Sequence, residues 1–144
     1  VALRQTKTIT PLYLGIGRDV INVGVSGEEA DLLCRNDILR VRQDLHLIDP
    51  WIEWLDPVRL AAVTDLAWLM GYRSWANHLN VRQLLGMGQF DDAIVGLLKG
   101  AWARKEHVRI NRACQMLLTG EWPWETEALN ASPPTGPPSH LPTL

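Results

Sequence analysis

Leu55-Asp-Pro-Val-Arg-Leu-Ala-Ala-Val-Thr-Asp-Leu-Ala-Trp-Leu-Met-Gly71 is the stretch that decides the fold. Asp56 is placed to accept hydrogen bonds from the free N–H groups of a first helical turn. Pro57 suits the first helical position, where its missing N–H costs nothing. Gly71 suits the left-handed conformation that ends a helix. Between these signals only Arg59, Thr64 and Asp65 are polar. At about 100° per residue they point in three directions, so no polar stripe forms. A helix without a polar stripe is expected to be buried on all sides. The stretch is too short and too charged to span a bilayer. It therefore reads as the central helix of a globular helical core, with Trp68 packed or lining an internal cleft.

The flanks are read outward from that helix. Ser26-Gly-Glu-Glu29 is a capping-box pattern opening a helix to about His46, with Ala30, Cys34, Ile38, Val41 and Leu45 as one buried stripe. Trp51 and Trp54 fall in a connector broken at Asp49-Pro50, expected to be a short helical turn packing both indoles on the core. Beyond Gly71, Ser74 is placed to cap a helix from Trp75 to about Leu85, with Ala76, Leu79 and Leu84 as core candidates. Phe90 to Lys99 is the cleanest amphipathic pattern, with Asp91 and Asp92 in its first turn, where the helix dipole favours negative charge. Gly100 breaks that helix. Glu106 to Leu118 repeats the pattern with Ile110, Ala113, Cys114, Leu117 and Leu118. Lys105, Arg109 and Arg112 share its other face, either as a solvated surface or as a site for an anionic polymer.

The ends differ in character. Thr8 to Leu14 reads as a short edge-like strand, and Gly15-Ile-Gly17 as its turn. Neither a dinucleotide fingerprint nor a phosphate loop is present around those glycines. Ser132 to Pro142 holds five of the nine prolines and reads as an extended tail. The 144 residues and net charge of -2 fit one ordinary domain with no strong pull toward nucleic acid or anionic membrane. Cys34 and Cys114 fall on apolar helix faces and read as reduced core thiols. His46, His78, His107 and His140 are scattered without metal-ligand spacing, so neither a metal nor another cofactor is expected.

Taken in order, these motifs resemble the bacteriophage-type lysozymes. The resemblance rests on Leu55-Asp-Pro-Val-Arg59, the helix ending Leu69-Met-Gly71, Phe90-Asp-Asp-Ala93, Trp102, and Arg109-x-x-Arg112 followed by Leu118-Thr-Gly-Glu-Trp122. It extends back through Val23-Gly-Val-Ser-Gly-Glu-Glu-Ala30, similar to the start of the family's linking helix, and Leu14-Gly-Ile-Gly-Arg18, similar to its glycine-bearing hairpin. It spans about Tyr13 to Trp122. The fold it implies is mostly α (α+β): a helical C-terminal lobe at 47–124, a linking helix at 26–46 and a small, shortened N-terminal β region at 1–25. Together these make a lysozyme-like domain at 1–128, followed by a Pro-rich tail at 129–144.

The family hydrolyses the MurNAc-GlcNAc β-1,4 bond of peptidoglycan. Its acid is a Glu on a first helix, supported by an Asp and a Thr. Here the Thr position holds Tyr13, the Asp position holds Lys7 (Thr6 or Thr8 in a shifted register), and the Glu position lies before Val1. No acidic residue precedes Asp19. Glycoside hydrolysis needs a proton donor and usually a second carboxylate across the bond. Glu28 and Asp37 are nine residues apart, as in the family's pair, but on a helix they point about 180° from each other. No catalytic residue is therefore assigned. The family's substrate-contacting positions fall on Asp19, Trp68, Val81 and Gly96, the last two without polar side chains. The resemblance implies a monomeric, phage-encoded protein of the bacterial host cytoplasm or the virion, with peptidoglycan as its weak partner and no nucleic-acid or membrane partner. It implies a degenerate member, against two alternatives. One is an active endolysin whose acid lies upstream or elsewhere. The other is a helical structural or virion interaction module.

Overall fold

The computed structural model describes residues 12–125. The chain divides into two compact units, Val1–Asp37 and Ile38–Leu144. In the first, β1 (Tyr13–Leu14) pairs antiparallel with β2 (Arg18–Asp19), Tyr13 opposite Asp19 and Leu14 opposite Arg18. The turn between them needs its glycines: Gly15 and Gly17 have φ of 60° and 110°, a region costly to any residue with a Cβ. The expected strand is thus only two residues long in the described chain, and Thr8 to Pro11 lie outside the described residues. A four-residue helix follows, α1 (Val20–Val23), capped by Asp19.

Helix α2 (Gly27–Ile48) opens with the capping box that the sequence spells out. Ser26 N–H donates to Glu29 Oε2 (2.8 Å), and Glu29 N–H donates to Ser26 Oγ (3.2 Å). The helix runs on to Ile48, past the end expected near His46. Its apolar stripe is buried only gradually. Ala30 is exposed, Cys34, Ile38 and Val41 are half-buried, and Leu45 is buried.

In the second unit a 3-10 turn, Pro50–Trp54, leads to α3 (Pro57–Met70). The caps of α3 are those expected. Asp56 Oδ1 accepts from Val58 N–H (3.1 Å) and Arg59 N–H (3.0 Å), and Gly71 ends the helix at φ 76°. Burial of α3 is incomplete. Val58, Ala62, Val63, Thr64, Leu66, Ala67 and Met70 are buried, but Trp68 is 40% exposed. Thr64 is tolerated inside because its hydroxyl donates to Leu60 O one turn back (2.7 Å). Of the two connector tryptophans, Trp51 packs against the core and Trp54 is 87% exposed, so only one indole does what the sequence suggested.

The segment after Gly71 is two helices rather than one, α4 (Tyr72–Asn77) and α5 (Leu79–Gly86). The ring of His78 takes the Ser74 carbonyl (Nδ1 to O, 2.6 Å), and the His78 backbone N–H turns to Trp75 O instead. Ser74 consequently lies inside α4 and caps nothing; its Oγ accepts from Trp102 Nε1 (3.1 Å). The bend also changes which side chains go inside. Trp75, Val81 and Leu85 are buried, whereas Leu79 is exposed. Helices α6 (Phe90–Lys99), α7 (Ala101–Lys105) and α8 (His107–Thr119) complete the described chain. α3 packs on α8, and α6 packs on both α5 and α8. Ile110, Ala113, Cys114 and Leu117 are buried as the spacing of α8 requires, and Leu118 is exposed. The described chain is thus mostly helical with one two-stranded antiparallel sheet. The Pro-rich segment lies outside the described residues.

Candidate binding site

Two hollows in the second unit share Trp68. The larger is a groove of about 670 Å³ between the end of α2, the middle of α3 and the start of α8. Its lining is apolar where Ile38, Ala61, Val108, Ala113 and Met116 contribute, and basic where Arg42, Lys105 and Arg112 do. These three bases make no ion pair among the described residues. Arg109 does: both oxygens of Asp65 accept from its Nε (3.1 and 3.0 Å), and its Nη2 also donates to Oδ1. The same guanidinium stands over the Trp68 indole, 5.1 Å from the ring centroid. The expectation that Lys105, Arg109 and Arg112 share a face is met, because all three line this groove.

The smaller hollow, about 100 Å³, is lined by Trp68, Tyr72, Asp44 and the apolar Val41, Leu45 and Trp75 among others. Tyr72 is 50% exposed. Its position follows from the end of α3: Gly71 redirects the chain, and Tyr72 begins the next helix within reach of Trp68. Two aromatic side chains with open surface and one carboxylate thus border a single shallow site.

The four substrate positions implied by the family resemblance fall in three places. Trp68 borders both hollows. Val81 is buried at the contact of α5 with α6, and a Cβ on Gly96 would stand 3.0 Å from Val81 Cγ2. The missing side chain at Gly96 is therefore what lets those two helices approach. Asp19 belongs to the first unit and is occupied by its own helix cap. Its Oδ1 accepts from Ile21 N–H (3.0 Å) and Asn22 N–H (3.2 Å), and its Oδ2 from Asn22 Nδ2 (2.6 Å). The Asn22 side-chain amide, with these backbone donors, holds the Asp19 carboxyl below its ordinary value.

The carboxylates of the groove do not form an acid/base pair. Asp65 is the partner of Arg109, and Glu106 is the residue at which α8 begins. Asp44 is the only carboxylate among the described residues that line the small hollow. Among the described residues, no group of three or more His, Cys, Asp or Glu stands together as a metal site would require. No helix among them is long and apolar enough to cross a membrane.

One polar centre escaped sequence reading. Asp49 is 2% exposed and collects four donors, one from neighbouring Trp51 and three from Trp75 and Arg82 farther along the chain. Trp75 Nε1 donates to its Oδ2 (2.9 Å), Trp51 Nε1 to its Oδ1 (3.1 Å), and Arg82 approaches through both Nε and Nη2 (2.9 Å each). Arg82 is itself fixed by donation to Ile48 O and Ala76 O (3.0 Å each). The local sequence shows Asp49-Pro50 only as a helix break, because Trp75 and Arg82 lie 26 and 33 residues away. The centre is fully satisfied within the chain and reads as structural. No family model matches the chain.

Proposed function

We propose that this chain is a non-hydrolysing relative of the bacteriophage-type lysozymes that associates with cell-wall glycan. The observation that carries the reading is the pairing of Trp68 with Tyr72 around one shallow hollow beside Asp44. Aromatic faces that keep part of their surface open offer a flat apolar platform to the C–H faces of sugar rings, and a nearby carboxylate accepts from sugar hydroxyls. The order of motifs from Tyr13 to Trp122 supports a lysozyme-like origin and peptidoglycan as the ligand class. In this reading the protein is phage-encoded and acts in the bacterial host or the virion.

The non-hydrolysing reading is supported by what surrounds three of the described carboxylates. A glycosidase of this type needs a proton donor on one side of the bond and usually a second carboxylate on the other. Asp19 is a helix cap, Asp65 is an ion-pair partner, and Asp44 is the only described carboxylate lining its hollow. The expected positions of the family's Asp and Thr, at Lys7 and Tyr13, carry no carboxylate or aliphatic hydroxyl group.

The test is co-sedimentation of the 144-residue chain with purified bacterial sacculi. Retention should fall about tenfold in Trp68→Ala and in Tyr72→Ala, the range expected when an aromatic anchor is removed. Circular dichroism of each variant confirms that it is folded. Retention unchanged in both variants would overturn the glycan reading.

A further inference from the structure

We infer that the large groove between α2, α3 and α8 is a docking site for an acidic amphipathic helix of a partner protein. The inference goes beyond the glycan reading and concerns a different hollow. Two features of the groove have to be met by one occupant. Part of its lining is apolar, and Val108 within that lining presents 63% of its surface to solvent. Its rim is basic: Arg42, Lys105 and Arg112 line it, while of its two carboxylates Asp65 is taken up by Arg109 and Glu106 stands at the start of α8. The groove is therefore positive on a chain whose net charge is -2.

A sugar chain does not match an Ile, Val and Met lining, and a nucleic acid strand would leave that lining uncovered. A helix with one apolar face and carboxylates along its edges matches both features at once. Its apolar side chains enter the trough, as in other helix-in-groove complexes, and its carboxylates reach the three bases. The trough is itself built from three helices, so its walls are preformed and little ordering cost is added on binding. Leaving Val108 and the neighbouring apolar atoms in water is unfavourable, and covering them drives the association. The bases then set orientation and reject a basic helix.

The experiment is fluorescence anisotropy with the full 144-residue chain and a labelled synthetic helix carrying Leu on one face and Glu on the others. Saturable binding is expected with a Kd of about 10–100 μM. The same peptide with Lys in place of Glu, a scrambled peptide of equal composition, poly-glutamate and a single-stranded oligonucleotide should all bind at least about tenfold more weakly. Arg112→Glu should weaken the acidic peptide about tenfold. Val108→Asp should abolish its binding; an Asp in the first turn of α8 suits the helix dipole, so this variant keeps its fold. Sacculus retention, measured alongside, should be unchanged in Val108→Asp and about tenfold lower in Tyr72→Ala. The two readings therefore fail separately.

Four results would overturn the inference. The first is no saturable binding of the acidic peptide. The second is equal binding of the scrambled or Lys peptide, and the third is equal binding of poly-glutamate or the oligonucleotide. The fourth is self-association in sedimentation velocity that Val108→Asp dissolves, which would make a second copy of the chain the occupant.

Discussion

The two units solve the problem of apolar surface in opposite ways. In the second, Ala62, Val63, Leu66, Trp75, Leu85, Ile110 and Leu117 are sealed from water around α3. In the first, no described residue is buried, and Leu14, Ile16, Val23, Leu32 and Leu33 all stand in solvent. A two-residue strand pair has no face large enough to hide them, and an isolated hairpin is marginal in water. Local bonds hold this unit together instead: the Ser26–Glu29 capping box, the Asp19 cap, and Arg18, which donates to Gly24 O (3.0 Å) and to Glu29. Cooperative stability therefore belongs to the helical unit, while the first unit contributes local order.

That contrast is broken most directly at Asp49. Asp49→Ala leaves Arg82 buried without its counter-charge and two indole N–H groups without an acceptor. A loss of about 3–5 kcal/mol is expected in urea unfolding. A change below about 1 kcal/mol would show that the centre is dispensable. A second comparison pits matched leucines against each other. Leu66→Ala, at the middle of α3, should cost about 2–5 kcal/mol, and Leu33→Ala, in the first unit, less than about 0.5 kcal/mol. Similar shifts for both would erase the distinction between the units.

Helix caps sharpen the comparison at smaller scale. Asp56→Ala should cost about 0.5–2 kcal/mol, whereas Asp19→Ala should leave the main unfolding transition in place. The Asp56 cap also has a pH signature. Burial raises its pKa, but donation from the Arg59 N–H and guanidinium, the Arg59 charge and the Val58 N–H outweigh that and lower it below 3.8. The folded value is depressed, so this stabilisation is complete above about pH 4 and is lost as pH falls through the folded pKa. In Asp56→Asn the unfolding midpoint should change less between pH 5 and pH 2 than in the unmodified chain. An equal change would assign the acid sensitivity to other groups. The smallest effect is chemical rather than energetic. Burial pushes the Cys114 thiol up to about 11, and Cys34 is half-buried. A maleimide at neutral pH should label Cys34 first and Cys114 only as the helical unit opens. Equal rates would contradict the burial of α8.

The same contrast explains which parts of the molecule were legible in the sequence. α3 was readable because its cap, its proline and its terminal glycine are neighbours in the chain, and α6 because its apolar spacing is regular. Local signals failed wherever a distant partner decided the outcome. The break between α4 and α5 is the exception: the His78 ring meets the Ser74 carbonyl only four residues back, and helical spacing does not announce that contact. The lack of a polar stripe on α3 predicts Trp68 either packed or lining a cleft, and it is the second that holds. Arg109, 41 positions later, stands over its indole at the groove. Asp49 looked like a helix terminator and proved to be the buried acceptor of Trp75 and Arg82. For the candidate site, the shared basic face of α8 was visible in its spacing, whereas the meeting of Trp68 with Tyr72 required the turn at Gly71.

The central proposal is that this chain binds cell-wall glycan without cutting it. Its most direct test is incubation of the purified 144-residue chain with labelled sacculi, followed by mass spectrometry of the soluble fraction. A general acid beside the glycosidic oxygen contributes about 10²–10⁴-fold to rate. The account predicts no soluble disaccharide-peptide fragments above a no-protein control, alongside measurable retention of the chain on the sacculi. Release of such fragments with new reducing ends at MurNAc, by the unmodified chain, would contradict it.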